Sequence, residues 1–162
     1  MSAQPAIESS KYRQVLGHFP TGVTVITAVH DDAPVGMAVG SFSSVSLDPP
    51  LVAFFAAKTS SSWPKIRAAG AFCVNVLGED QEDVCRRFAS KEEDKFAGLG
   101  WKPTALGSPL LDGVLAWIDC EIESVTDAGD HECAMGRVHD LDVGHDRGPL
   151  VFFRGGYGRF AV

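Results

Sequence analysis

Apolar residues recur at helical spacing near the start of the chain, where Tyr12, Val15, Leu16 and Phe19 mark a short amphipathic helix from about Ser10 to His18, stopped by Pro20. From there the pattern becomes that of strands. Residues 23–29 (VTVITAV) are rich in β-branched side chains, and the turn-forming cluster His30-Asp31-Asp32-Ala33-Pro34 separates them from Val35 to Val39, which predicts a hairpin. Leu51 to Ala56 is an apolar run behind Asp48-Pro49-Pro50; the prolines bar its backward extension as a helix, so a buried strand is expected. A helix start follows at Thr59-Ser60-Ser61-Ser62-Trp63-Pro64, with hydroxyls at the cap and proline in the first turn, and Gly70 is its stop. Residues 71–77 return to strand character. Glu79 to Ala89 predicts a helix with acidic residues in its first turn, Arg86 and Arg87 near its end, and Val84, Cys85 and Phe88 on its buried side.

Lys91 to Gly113 is charged, then rich in Gly and Pro, and reads as a long loop with a short helical piece near Asp94 to Ala97. Loops of that length tend to be functional or to cover something. From Leu115 to Thr126, Ala116, Ile118, Cys120, Ile122 and Ser124 alternate with Trp117, Asp119, Glu121 and Glu123, which predicts a strand with one polar face. Cys133 to Val143 and Leu150 to Arg154 are the last strands expected. Six or more strands against two or three short helices favour an antiparallel barrel or sandwich over a doubly wound sheet. No repeat or linker divides the chain, so one domain over 1–162 is expected, with 1–10 a flexible segment.

Composition narrows the partners. The 162 residues are 45% hydrophobic and 22% charged, as in a globular protein, and the net charge of -7 opposes nucleic acid and anionic lipid surfaces. Any phosphate must then be held by a local site. The N-terminus lacks a basic flank followed by an apolar run, and no stretch reaches the roughly 18 apolar residues of a spanning helix, so a cytoplasmic location is expected. Cys73, Cys85, Cys120 and Cys133 form no CxxC pair and read as reduced thiols in or near the core.

Neither a P-loop nor a Rossmann glycine fingerprint occurs, and no Gly-x-Ser-x-Gly elbow or HExxH is present. Three segments carry candidate chemistry. Gly36 to Ser46 (GMAVGSFSSVS) combines glycines, which permit close backbone approach, with four serines; its plain reading is a strand entering a polar loop. Lys58 to Trp63 places a lysine and four hydroxyls at a helix start, which suits either a phosphate cradle or an ordinary cap. Gly129-Asp130-His131 puts a titratable ring at a turn between two strands, although a lone histidine is commonly just a surface residue. His18, His30, His139 and His145 show no metal-ligand spacing.

Read in order, Phe19 to Thr27 (FPTGVTVIT), Gly36 to Ser46 running into Leu47-Asp48-Pro49-Pro50, Phe72 to Leu77 (FCVNVL), Arg87-Phe88-Ala89, Asp94 to Gly98 (DKFAG), Gly107 to Leu111 (GSPLL), Gly129-Asp130-His131 and Gly155-Gly156-Tyr157 resemble the short-chain flavin reductases. These are the reductase components of two-component flavin-dependent monooxygenases. The resemblance runs from about Tyr12 to Phe160. It implies an FMN-binding split β-barrel, a Greek-key barrel with flanking helices, that works as a homodimer. It further implies FAD or FMN as the flavin, NADH more often than NADPH as the hydride donor, and a partner oxygenase that receives diffusing reduced flavin and acts on phenols or similar aromatics. A split-barrel oxidoreductase with another acceptor, a non-catalytic flavin-binding module and a serine hydrolase are the competing readings.

The resemblance also assigns residues. Met37, Ala38, Val39, Gly40 and Ser41 would line the isoalloxazine with main-chain groups, with Ser43 and Ser46 nearby. Ala56, Lys58, Ser60, Ser61 and Ser62 would hold the flavin phosphate, and Arg87, Phe88 and Ala89 would lie beside the phosphate and adenine. His131 and Tyr157 would face the outer side of the ring, His131 positioning the nicotinamide as the catalytic residue. Met37 to Gly40 stands where many relatives carry threonine and asparagine. Glu132, beside His131, would disfavour the extra phosphate of NADPH.

Overall fold

The computed structural model describes residues 4–161, so the reading of 1–10 as a flexible segment falls partly, at 1–3, outside the described residues. Among them are three short helices and twelve strands. Helix α1 (Ser9–Leu16) is followed by β1 (Thr21–Gly22), β2 (Thr24–His30), β3 (Ala33–Val39), β4 (Ser43–Leu47) and β5 (Pro50–Ala57). Then come α2 (Trp63–Ala69), β6 (Ala71–Val76), α3 (Glu82–Ala89), β7 (Trp101–Pro103), β8 (Pro109–Leu111), β9 (Ala116–Ala128), β10 (His131–Val143), β11 (Leu150–Phe153) and β12 (Gly156–Arg159). The mainly β architecture is the one expected. None of the helices is long and apolar enough to cross a membrane.

Seven strands form one antiparallel sheet in the order β3-β2-β6-β9-β10-β5-β4, and no hydrogen-bonded ladder closes it. Met37 and Val39 of β3 nevertheless share a core with Val52 and Phe54 of β5, from near the other end of the order, so the sheet curls around that core. Helix α2 plugs it: Trp63 and Ile66 are buried, and Phe54 packs edge-on against Trp63 and Phe72 with ring centres 5.6 and 5.1 Å apart. A second core lies on the other side of β2 and β6, where Val25, Leu77, Phe88, Phe96, Leu111 and Leu150 meet. Strand β2 is therefore buried on both faces, which is why its apolar run has no polar alternation.

The β2–β3 turn places Asp31 and Asp32 at positive φ, 50° and 60°, the conformation of the tight hairpin turn expected from the His30–Pro34 cluster. Arg154 and Gly155 do the same between β11 and β12, φ 50° and 76°, and bring Tyr157 opposite Phe152. Strand β12 was not expected, nor were β1, β7, β8 and β4. The last occupies the segment read as polar loop and pairs with β5 through a register shift between Ser44 and Ser46. The helical piece near Asp94 to Ala97 is only a turn, closed by the Leu99 N–H donating to the Phe96 carbonyl at 3.0 Å.

The polar face expected for β9 holds at Glu121 and Glu123, which are exposed, and is corrected at Asp119. Asp119 is fully buried, because the β7–β8 hairpin covers that face. Its carboxylate accepts from the Thr104 hydroxyl at 2.7 Å and the Leu106 N–H at 3.1 Å. Asn75, also fully buried, completes the attachment: its Nδ2 donates to the Val25 carbonyl at 3.1 Å and Thr27 Oγ1 at 3.0 Å, and its Oδ1 accepts from the Leu111 N–H at 2.9 Å. Thr27 in turn donates to the Pro109 carbonyl at 2.5 Å. All four cysteines are free thiols. Burial, then the charge of Asp119, pushes Cys73 up and Cys120 up to about 12, burial alone outweighs the other influences in raising Cys85, and Cys133 is half-exposed.

Asn75→Ala leaves several buried polar groups without partners and should destabilise the protein by about 2–4 kcal/mol. A urea midpoint unchanged from wild type would contradict the anchoring role.

Candidate active site

One cleft of about 650 Å³ collects the three segments singled out in the sequence. It is lined by Met37, Ala38, Val39 and Ser41 from β3 and the turn after it, by Ser60, Ser61 and Ser62 before α2, by Phe88 and Ala89 at the end of α3, and by His131 at the start of β10. Strand β3 is an edge of the sheet, so alternate main-chain N–H and C=O groups along it have no strand partner. Thr59 of the same serine-rich segment lines it too, and Phe55, Ala57, Ser90, Lys91 and Lys95 also line the cleft and were not anticipated. Phe55 and Ala57 could have been found by the two-residue period of β5, which sends their side chains away from the core that holds Phe54 and Ala56.

The same period corrects Ala56. It is fully buried in the core, so its side chain reaches no ligand. Gly40, Ser43 and Ser46 lie off the cleft, the two serines on β4. Lys58 points out and pairs with Asp127 at 3.1 Å. Arg87 also misses the cleft; its guanidinium donates to the Ala97 carbonyl and straps the 91–99 segment to α3. Tyr157 is packed elsewhere, its hydroxyl 3.3 Å from Cys85 Sγ and its ring under the Arg86 guanidinium, and desolvation lifts it to about 12. Glu132 points to the opposite face of β10 from His131 and accepts from Arg67 at 2.6 Å, so the electrostatic case against NADPH drawn from it does not hold.

The polar end of the cleft is built around the three serines. Ser60 Oγ accepts the Trp63 N–H at 3.2 Å, which caps the first turn of α2. The cation that reaches this end is Lys95, whose Nζ is 3.5 Å from Ser62 Oγ and donates to the Phe88 carbonyl at 3.2 Å. Burial lowers its affinity for a proton, so an anion placed beside it would restore the ammonium's lost solvation. At the other end, His131 Nδ1 is 2.7 Å from Asp130 Oδ1 and this contact holds the Asp130 carboxyl below its usual range. The arrangement fits a flavin: apolar walls for a flat ring, an open strand edge for its polar rim, and serines with a lysine for a phosphate.

Ser41 has a separate function. Its hydroxyl donates to the Phe55 carbonyl at 3.1 Å and accepts the Phe55 N–H at 3.0 Å, taking the place of a strand where β4 no longer covers β5. Gly36 is fixed by the same wall, since a Cβ there would sit 2.7 Å from the Phe88 ring.

A curled, mainly β sheet with a ring-and-phosphate cleft at its edge defines a flavin-binding domain. The sequence profile of the flavin reductase like domain matches residues 16–161, and the chain belongs to that family; its enzyme class is NAD(P)H:flavin oxidoreductase. It is 55% identical over 158 residues to a flavin reductase of Pseudomonas putida, covering 97% of this chain and 93% of the relative. It is also 55% identical over 159 residues to the reductase subunit HsaB of a flavin-dependent monooxygenase from Mycobacterium tuberculosis, covering 97% and 84%. An NADH:FAD oxidoreductase of Streptomyces globisporus, solved with NAD and FAD fragments, superposes with a TM-score of 0.90 at 36% identity over 98% of each chain.

Ser41→Ala strips the Phe55 amide of its acceptor and should speed its hydrogen exchange roughly tenfold, with the rest of β5 unchanged. Exchange at the wild-type rate would show that the clamp holds nothing.

Proposed function

We propose that the chain is an NADH-dependent reductase of FAD or FMN, acting as a homodimer and a single domain, whose reduced flavin diffuses to an oxygenase that acts on a phenol or similar aromatic. The observation that carries this reading is the convergence of the β3 edge, the serine segment with Lys95, and His131 in one cleft. The oxygenase partner is supported by the Mycobacterium relative's being a monooxygenase subunit, and NADH by the Streptomyces relative. Dimerisation is supported by the apolar side chains left uncovered, among them Phe19, Leu47 and Val143.

A bound flavin would supply the hydride-accepting chemistry towards reduced nicotinamide. The protein's residues position and shield. The unpaired edge of β3 at Met37 to Val39 holds the polar rim of the ring, and Phe55 and Phe88 exclude water from its faces. Ser60, Ser61 and Ser62 donate to the phosphate, with Lys95 and Lys91 as its counter-charges in place of Lys58 and Arg87. His131, oriented by Asp130, meets the nicotinamide and fixes its approach.

NADH oxidation measured with FAD, FMN or no added flavin should require flavin and exceed the rate with NADPH. Bound flavin that stays oxidised with either nucleotide would replace the reductase reading with a binding module. Lys95→Gln should weaken FMN binding roughly ten- to a hundredfold while leaving riboflavin, which has no phosphate, within about twofold. Lys58→Gln should leave both unchanged; the reverse ranking would return the phosphate to Lys58.

A further inference from the structure

Arg87 lies off the cleft, yet it holds the segment that carries the cleft's cation. It sits in the last turn of α3 and grips the chain that follows at two points. Its carbonyl accepts from the Ser90 hydroxyl at 2.7 Å, and that hydroxyl in turn accepts the Glu92 N–H at 3.2 Å. Its guanidinium donates to the Ala97 carbonyl, ten residues further on. One side chain and its own main chain therefore close the segment into a loop, and Lys95 lies within that loop.

Two further contacts fix the residues on either side of Lys95. Phe96 is buried and packs edge-on against Phe88 and Trp101, with ring centres 5.0 and 6.3 Å apart, and its N–H donates to the Asp94 carboxylate at 3.2 Å. Lys95 reaches across the C-terminus of α3, where its Nζ donates to the Phe88 carbonyl at 3.2 Å and lies 3.5 Å from Ser62 Oγ. An ammonium has three donors, so one stays free for an anion in the cleft. A lysine on an untied loop would lose the freedom of its long stem when it met that anion; one already held in place does not.

We propose that Arg87 is a positioning residue for the flavin phosphate: by tying the segment at Ala97 it keeps Lys95 at the phosphate end of the cleft, and it touches no ligand itself. The proposal rests on the flavin reductase reading for the ligand's identity. Acting through Lys95 has a consequence that direct contact lacks. A guanidinium touching the phosphate would add its effect to that of Lys95, whereas one that works by placing Lys95 has nothing left to contribute once that charge is gone.

The test is a double-mutant cycle of Arg87→Met and Lys95→Gln. It is read as the Kd for FMN and for riboflavin, from quenching of flavin fluorescence, and as hydrogen exchange at the Leu99 amide, which donates to the Phe96 carbonyl inside the segment. Arg87→Met keeps the aliphatic stem and removes the donors. It should weaken FMN roughly tenfold, leave riboflavin within about twofold and speed Leu99 exchange roughly tenfold. Lys95→Gln should weaken FMN at least as much while leaving that amide within about twofold, and adding Arg87→Met to it should cost FMN less than about a further twofold. Arg87→Lys, which keeps one donor for the Ala97 carbonyl, should recover part of both losses. Additive losses of FMN binding, riboflavin binding that falls along with FMN, or FMN binding unchanged beside a faster Leu99 amide each overturns the positioning role. FMN affinity lost with Lys95 but kept in Arg87→Met counts against that role alone, whereas FMN affinity indifferent to Lys95 counts against the flavin reading of the cleft.

Discussion

Asn75 lies at the centre of β6 with no solvent contact, and its amide bonds β2 through Val25 and Thr27 and β8 through Leu111. A buried amide with four hydrogen-bonding sites tolerates little displacement of its partners, since each one lost leaves a polar group unsatisfied in a low-dielectric core. The β7–β8 hairpin is held by this group and by Asp119 on the neighbouring β9. The hairpin in turn fixes one end of the 91–100 segment, and Arg87 fixes its middle at Ala97. Lys95 stands beside Ser62 because its segment is held at its far end and at Ala97, and its own Nζ is held by the Phe88 carbonyl.

The site occupies the places where the sheet's ladders stop. Strand β3 is an edge, β5 runs past the end of β4 until Ser41 covers Phe55, and His131 opens β10 at its first residue. An interior strand such as β2 is paired on both sides over Thr24 to Thr27 and packed on both faces there, leaving little to offer a ligand. Recognition is thus confined to a rim built of turns, while the scaffold stays rigid beneath it.

Much of the fold was legible because it is written in local patterns: β-branched runs for β2 and β6, Asp-Asp at a tight turn, Pro64 and Gly70 around α2. What was not legible depends on contacts distant in sequence. Two three-residue strands, one ending at Pro103 and the other starting at Pro109, give no periodic signal, and without the hairpin they form, Asp119 looks like a solvent-facing acid. The candidate site divides the same way. Motif resemblance picked out the serine segment, the β3 edge, Phe88 and His131, which line one cleft, whereas the alternation of β5 puts Phe55 and Ala57 in that cleft and Ala56 in the core. Choosing among Lys58, Arg87 and Lys95 needed the three-dimensional partners, Asp127 for the first and the Ala97 carbonyl for the second. Tyr157 and Glu132 are adjacent to motif residues in sequence yet point into other packing, Cys85 and Arg67 respectively.

The placement of the thiols bears on the company this protein keeps. Reduced flavin meeting oxygen away from its oxygenase yields hydrogen peroxide, and peroxide attacks cysteine as the thiolate. Cys73, Cys85 and Cys120 are all buried and held in the protonated form. A chain that generates the precursor of an oxidant therefore carries three of its four thiols where that oxidant finds little to react with, and the half-exposed one is Cys133, at the outer wall of the sheet.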